Sequence, residues 1–234
     1  MDKDINFETY LVINSKYFLI TVINKKEKNK IFEKKEIILN NSDRFDMSLV
    51  DEFLKKNVFE IEKKIENFLN NIFLILDYDI FFPVKISIKK NLGGKFITPK
   101  KLNYFLNETK KDCNKTLLGK KIIHLILDRY SVDEKDYSIL PTDITCNFLT
   151  IDINLICLSI KEIKSFEEVL KKYHIIMTKI LSADYVRSLF NQNNQDLILM
   201  AKLVKDGHNK NEVEMLEKKQ QNMGVFERFF HFFK

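Results

Sequence analysis

The spacing of apolar residues changes along this 234-residue chain, and that change constrains its fold more than any other feature. Residues 10 to 23 and 30 to 39 are rich in Ile, Val, Phe and Tyr and flank a polar turn at residues 24 to 29, which is typical of antiparallel strands. From Ser48 to Ile72, apolar residues mostly recur three or four apart, which predicts a long amphipathic helix capped by Ser48. A chain that carries both periods is expected to adopt an α/β (α+β) fold.

The same two patterns alternate through the rest of the chain. Strands are predicted over residues 77 to 82, 84 to 89, 122 to 130, 148 to 160 and 174 to 180. Helices are predicted from Thr98-Pro99, over residues 165 to 173, from Ser182 to residue 190, and over residues 197 to 204. The predicted order is strands, helix, strand, then strand-helix-strand-strand-helix-strand, then helix.

Membrane crossing and secretion are not expected from the sequence. Its longest apolar runs fall well short of the about 20 residues that a spanning helix needs. The first four residues, Met-Asp-Lys-Asp, lack the basic and then apolar organisation of a secretory signal. We therefore expect a cytoplasmic chain whose membrane contact is peripheral.

Composition also argues against several kinds of binding site. The formal charge of +6 comes mainly from lysines interspersed with glutamates, so no nucleic-acid partner is expected. Cys113, Cys146 and Cys157 form no CxxC pair and share no metal-ligand spacing with the histidines, which favours reduced packing residues over a zinc site. The single pair Gly93-Gly94 is weak evidence for a dinucleotide loop. We expect no metal and no cofactor.

The last ten residues have a segregated helical pattern. At 100° per residue the apolar side chains fall within an arc of about 160°, and the polar ones lie opposite. The residues predicted to bind a membrane are Val225, Phe226, Arg228, Phe229, Phe230, Phe232, Phe233 and Lys234. The alternative is a helix packed on the protein's own core. The charged segment that precedes the tail favours the membrane, because it predicts a tether.

Four segments in the middle of the chain carry a family resemblance. Residues 123 to 133 read Ile-His-Leu-Ile-Leu-Asp-Arg-Tyr-Ser-Val-Asp, and they are followed by a Pro-Thr-Asp-Ile turn at residues 141 to 144, a strand-like segment at residues 148 to 156 and Ile-Leu-Ser-Ala at residues 180 to 183. In sequence and order they resemble the bacterial actin-like cell-division family FtsA, although Leu127 stands at a proline of the family. The resemblance covers roughly residues 8 to 190.

Two departures from that family concern its nucleotide site. Where the family has Asp-x-Gly-(Thr/Ser)-Ser-Lys, residues 11 to 16 read Leu-Val-Ile-Asn-Ser-Lys. Leu11 offers no oxygen ligand for a metal, and Ile13 adds a branched side chain where the family has none. The family's second, nucleotide-binding lobe is also missing after residue 190. These departures predict a protein that is not an enzyme.

The resemblance implies a domain organisation. It assigns residues 1 to 90 and 181 to 207 to a reduced actin-like lobe, residues 91 to 180 to the family's inserted subdomain, residues 208 to 223 to a linker and residues 224 to 234 to the membrane helix.

It also implies a function: a non-enzymatic, membrane-peripheral scaffold of the cell-division machinery, on the inner face of the plasma membrane at the division site. Its expected partners are other division proteins and further copies of itself, bound through the inserted subdomain. The family holds FtsZ through the missing lobe, so direct FtsZ binding is not expected. Two alternatives are an actin-like ATPase completed by another chain and a soluble interaction module whose tail packs internally.

Overall fold

The computed structural model describes residues 7–38, 46–139, 141, 144–190 and 196–213. The strands in this part of the chain are β1 (Phe7–Asn14), β2 (Tyr17–Asn24), β3 (Lys30–Ile37), β4 (Asn71–Asp77), β5 (Phe82–Phe96), β6 (Lys120–Val132), β7 (Lys135–Tyr137), β8 (Thr145–Ser159) and β9 (Ile176–Ser182). The helices are α1 (Met47–Ile65), α2 (Pro99–Thr116), α3 (Ile160–Lys171), α4 (Ala183–Ser188) and α5 (Leu197–Lys205). The predicted mixed α/β class is confirmed.

The first sheet has five strands in the order β3-β2-β1-β4-β9. The strands β1, β2 and β3 are antiparallel neighbours, whereas β4 and β9 run parallel to β1. Alternate side chains of β1 point to opposite faces. Leu11 and Ile13 lie in the core that the sheet forms with α1 and α3, and Tyr10 and Val12 lie in the core formed with α4 and α5. Helices therefore cover both faces of this sheet.

The second sheet has four antiparallel strands in the order β5-β8-β6-β7. Its core side chains, such as Ile151 and Ile153, alternate along β8 and pack with Leu106 of α2. All four strands fall between β4 and β9 in the sequence, and β4 and β9 are adjacent in the first sheet. The second sheet is thus an insertion into the first.

Several element boundaries differ from the prediction. Asp46, rather than Ser48, caps α1, because its carboxylate accepts a hydrogen bond from the Ser48 N–H at 2.9 Å. The helix ends before Glu66, which has a left-handed backbone, and Ile72 lies in β4. The strand expected over residues 77 to 82 does not form, because Asp77 ends β4 and residues 78 to 81 lie outside any strand. The strand expected over residues 84 to 89 is part of the longer β5, which includes Pro83 because an edge strand tolerates a proline.

The division between the sheets also differs from the predicted boundaries at residues 91 and 181. The second sheet already begins at Phe82, the first residue of β5. Helix α3 begins at Ile160 rather than at Ser165, and it packs with α1 in the core of the first sheet. Strand β9 pairs with β4, so it also belongs to the first sheet. In structural terms the insertion covers the strands from β5 to β8.

Candidate functional site

The carboxyl ends of the parallel strands β1, β4 and β9 meet at one edge of the first sheet. There Asp77 ends β4, and its side chain is only 8% exposed. Arg187 of α4 donates to both of its carboxylate oxygens, at 2.5 and 2.7 Å. Asn14, at the end of β1, donates to one of them at 2.8 Å, and the Tyr17 hydroxyl donates to the same oxygen at 3.4 Å. Side chains of the protein therefore surround this carboxylate.

The ionisation of Asp77 reflects these contacts. Burial alone would raise its pKa, but the hydrogen bonds from Arg187 and Asn14 and the charge of the guanidinium outweigh burial and hold the pKa below its ordinary value. The ionised carboxylate is consequently the form that the fold stabilises.

Leu11 and Ile13 of β1, the two residues predicted to leave this edge without a metal ligand, lie beside it. Their side chains are 1% and 0% exposed and belong to the core between the sheet and α1. Neither residue supplies an oxygen ligand to the edge. Among the described residues, no group of three or more His, Cys, Asp and Glu side chains is arranged to hold a metal ion.

A second polar cluster joins the two sheets and is centred on His124 of β6, which is 1% exposed. The backbone N–H of Ser182 donates to His124 Nε2 at 3.1 Å, so this nitrogen must be unprotonated. The other ring nitrogen, Nδ1, therefore carries the proton and donates to Glu212 Oε1 at 2.7 Å. His124 thus connects the inserted sheet both to the end of β9 and to the C-terminal segment.

Tyr185 of α4 completes this cluster. Its hydroxyl donates to Glu212 Oε2 at 2.9 Å and accepts from the side-chain amide of Asn209 at 2.9 Å. Its ring packs on the imidazole of His124, with 4.4 Å between the ring centroids. Burial raises the pKa of Tyr185 and opposes ionisation of Glu212, yet the hydrogen bonds from His124 and Tyr185 keep the pKa of Glu212 below its usual value. We call these four residues (His124, Tyr185, Asn209 and Glu212) the junction cluster.

The junction cluster corrects one prediction about the C-terminal segment. The linker was expected to begin at residue 208, but residues 209 to 213 pack on the fold through the side chains of Asn209, Glu212 and Val213. Backbone hydrogen bonds also tie this segment to β6. The error arose because the segment has few apolar residues and is held mainly by polar contacts.

The predicted membrane-binding residues lie outside the described residues. They are Val225, Phe226, Arg228, Phe229, Phe230, Phe232, Phe233 and Lys234. In the part of the chain that the structure describes, no helix is both long and apolar enough to cross a bilayer.

Sequence reasoning missed most residues of both polar sites. His124 was noted within the family-like segment, whereas Asp77, Arg187 and Glu212 were not singled out. Their partners are distant in the sequence: 110 positions separate Asp77 from Arg187, and 88 separate His124 from Glu212. The one local signal was the position of Asp77 directly after a buried strand.

Comparisons with known proteins give structural likeness alone. No known protein family matches the chain, and no curated protein matches it in sequence. The PilM-PilN complex of type IV pilus biogenesis is similar with a TM-score of 0.47 and 8% identity, over 76% of this chain and 48% of the other. The cytoplasmic domain of EpsL, an inner-membrane component of the Vibrio cholerae type II secretion system, has a TM-score of 0.40 and 8% identity, over 77% and 58%.

A third similar structure is a Bacteroides thetaiotaomicron protein of unknown function with an actin-like ATPase fold. Its TM-score is 0.31 and its identity 12%, over 79% of this chain and 55% of the other. The chain thus spans about half the length of the solved structures it matches. None of the three is described as FtsA, and TM-scores below 0.5 assign no function, so the description of this fold rests on its own strand order.

Proposed function

We propose that this chain is a non-enzymatic scaffold, attached peripherally to the inner face of the cell membrane at the division site and resembling an FtsA protein without a nucleotide site. The observation that supports this proposal is that the protein's own side chains occupy the carboxyl edge of the first sheet. Leu11 and Ile13 are core side chains, and the Asp77 carboxylate is occupied by Arg187 and Asn14. A metal-bound phosphate would need free oxygen ligands and close backbone approach at such an edge.

We expect the 234-residue chain not to bind Mg²⁺-ATP, because Leu11 and Ile13 offer no oxygen ligand at this edge and Arg187 and Asn14 hold the Asp77 carboxylate. Isothermal titration with nucleotide up to about 1 mM should show no saturable heat. The Arg187→Ala variant should also show no heat of binding, since Leu11 and Ile13 still occupy the positions where an oxygen ligand and a glycine would be needed. A dissociation constant on the order of micromolar for the parent would instead support the ATPase that another chain completes. Binding by the variant alone would show that Arg187, and not the apolar pair, blocks the site.

Membrane attachment is proposed to depend on the aromatic tail. Full burial of one phenylalanine is worth roughly 1.5–3 kcal/mol, so the five in the tail give an upper limit of about 8–15 kcal/mol. Partial insertion and the ordering of a short helix reduce this value. Arg228 and Lys234 could each add about 1 kcal/mol on anionic lipid, while Glu227 opposes them. One tail is therefore a reversible anchor, and several clustered copies would bind more strongly.

Replacing Phe229 and Phe233 together by aspartate is expected to reduce co-sedimentation with anionic liposomes at least tenfold. A matched control is the pair Phe59→Asp and Phe68→Asp, because these side chains are 76% and 73% exposed on the folded body. The control should sediment like the parent if the tail alone carries the lipid contact. Equal sedimentation of the parent and the tail variant would refute the anchor, and a parent that stays in the supernatant would support a tail packed on its own core.

The same variants, tagged with a fluorescent protein in dividing bacteria, test the division-site part of the proposal. The parent and the control are expected at the division site, and the tail variant is expected to be diffuse. Partners are proposed to bind the inserted sheet, so they should be retained by the tail variant in solution. Diffuse fluorescence of the parent would count against a division role.

A further inference from the structure

The outer edge of β5 has no strand neighbour in the part of the chain that the structure describes. Strand β5 is the first of the four strands of the second sheet, and there it pairs only with β8. It is 15 residues long, so a row of backbone N–H and C=O groups faces away from β8. An edge of this kind can take an additional strand.

Helix α2 runs beside this edge in the opposite direction. Lys90, in the second half of β5, forms an ion pair with Glu108 of α2 at 2.7 Å. Phe82, the first residue of β5, contacts Lys120, which follows α2 after a short turn; the ammonium nitrogen lies 4.1 Å from the ring centroid. The strand and the helix thus form the two sides of a groove of about 400 Å³. We call it the β5–α2 groove.

The apolar layer of the second sheet is incomplete in this groove. Ile151 and Ile153 of β8 are at most 1% exposed, whereas the residues of β5 that pair with them, Ile88 and Ile86, are only half-buried. A further strand on the edge of β5 would place its own apolar side chains beside Ile86 and Ile88, against the flank of α2. The apolar lining of the groove consists of Val84, Ile86, Ile88, Cys113 and Leu117.

The other face of β5 determines which charges such a strand can carry. Lys85 and Lys89 alternate with the apolar residues of β5 and are exposed, so they project from the face opposite to α2. Acidic side chains directly opposite these lysines would form cross-strand ion pairs, whereas basic ones would repel them. Two copies of this chain paired through β5 would bring their lysines together on one face. Charge complementarity therefore favours an acidic partner over a second copy.

We propose that the β5–α2 groove binds an extended segment of a partner protein, which adds a fifth strand to the second sheet. The segment directs apolar side chains toward Ile86, Ile88 and the flank of α2, and acidic side chains toward Lys85 and Lys89. Backbone hydrogen bonds supply affinity, and the alternating side chains supply specificity. The inference rests on the proposed function, in which partners bind the inserted sheet, and it names the surface and the chemistry of that contact.

Fluorescence anisotropy with the 234-residue chain tests the proposal. The probe is a labelled peptide, Val-Glu-Val-Thr-Val-Glu-Val, because seven residues extend about 23 Å and match β5 from Val84 to Lys90. Its glutamates then stand opposite Lys85 and Lys89 in either strand direction. The parent should bind it at least tenfold more tightly than Val-Lys-Val-Thr-Val-Lys-Val. The double variant Lys85→Glu, Lys89→Glu should reverse this preference.

Filling the groove distinguishes strand addition from charge attraction alone. Asp112 of α2 is exposed and lines the groove, so Asp112→Trp should weaken binding of the acidic peptide at least tenfold by occupying the space of its apolar side chains. Loss of a carboxylate alone would instead strengthen that binding. Asn107→Trp is the matched control, because Asn107 is exposed on the same helix and does not line the groove. Saturating peptide should also slow hydrogen exchange of β5 amides several-fold.

Several results would overturn the proposal. A parent that binds neither peptide, or both equally, would show that the edge has no acidic partner. Unchanged binding by Asp112→Trp would place the peptide elsewhere on the protein. Self-association of the parent that Asp112→Trp abolishes would assign the groove to a second copy of this chain. Tighter peptide binding by the variant with Phe229→Asp and Phe233→Asp would assign it to the chain's own tail.

This experiment fails independently of the proposed function, because peptide binding in solution needs neither lipid nor a dividing cell. A parent that binds the acidic peptide and is diffuse in cells would refute the division role and leave the groove assigned. A parent that reaches the division site and does not bind the peptide would refute this inference alone.

Discussion

Replacing His124 by leucine is expected to lower the free energy of unfolding by about 3–5 kcal/mol, because it leaves two buried groups without their partner. The Ser182 N–H would lose its acceptor, and Glu212 would lose the donor that most favours its ionised form. Leucine fills a similar volume, so the loss reports hydrogen bonds more than a cavity. Urea denaturation followed by circular dichroism measures the effect.

His208 provides the control for this experiment. It is exposed, and its ring stacks on Phe190 with 4.7 Å between the ring centroids. His208→Leu should therefore cost less than about 1 kcal/mol. Glu212→Gln should cost less than His124→Leu, because the amide oxygen still accepts from Nδ1 of His124. A His124→Leu variant as stable as His208→Leu would mean that the junction cluster does not hold the sheets together.

Local patterns could predict much of the fold. Apolar composition located the segments that hold β2, β3 and β6, two-residue alternation located β8, and Thr98 and Ser182 were correctly identified as helix caps. The single strand expected over residues 10 to 23 is instead two strands, β1 and β2, because the chain turns at residues 15 and 16. Periodicity failed at the end of α1, because Phe68, Leu69 and Ile72 continue the helical spacing after Glu66 has turned the backbone. The spacing of apolar residues alone does not reveal such a change in backbone direction.

The polar sites could not be predicted in the same way. A hydrogen bond between β6 and residue 212, or between β4 and α4, depends on how the sheets and helices pack after they have formed. Neither Arg187 nor Glu212 lies in a local motif that distinguishes it from other surface charges. The resemblance to FtsA drew attention to the segment around His124 and predicted that Leu11 offers no oxygen ligand, and it gave no information about Asp77 and Arg187.

Arg187→Ala is expected to destabilise the fold by about 2–4 kcal/mol at pH 7, because it leaves the largely buried Asp77 carboxylate without its cation. The effect should depend on pH in a defined direction. The pKa of Asp77 is lowered in the folded parent, so the stability that it contributes is present above its unfolded pKa of about 3.9 and is lost as the pH falls below that value. In the variant, Asp77 is protonated more readily, and a neutral acid does not need the guanidinium. The difference between parent and variant should therefore shrink by at least half at pH 3.

Removing both partners distinguishes the contribution of the ion pair to stability from the contribution of side-chain packing. The double variant Asp77→Leu, Arg187→Leu should recover at least half of the loss, because no buried charge remains unpaired. Lys56→Ala breaks the exposed pair with Glu36, whose atoms are 2.9 Å apart, and should leave the denaturation midpoint unchanged. A difference between parent and Arg187→Ala that stays constant from pH 7 to pH 3 would mean that Arg187 stabilises α4 by packing. Asp77 would then be a carboxylate still available at the carboxyl edge, and the main structural argument against a bound metal would fail with it.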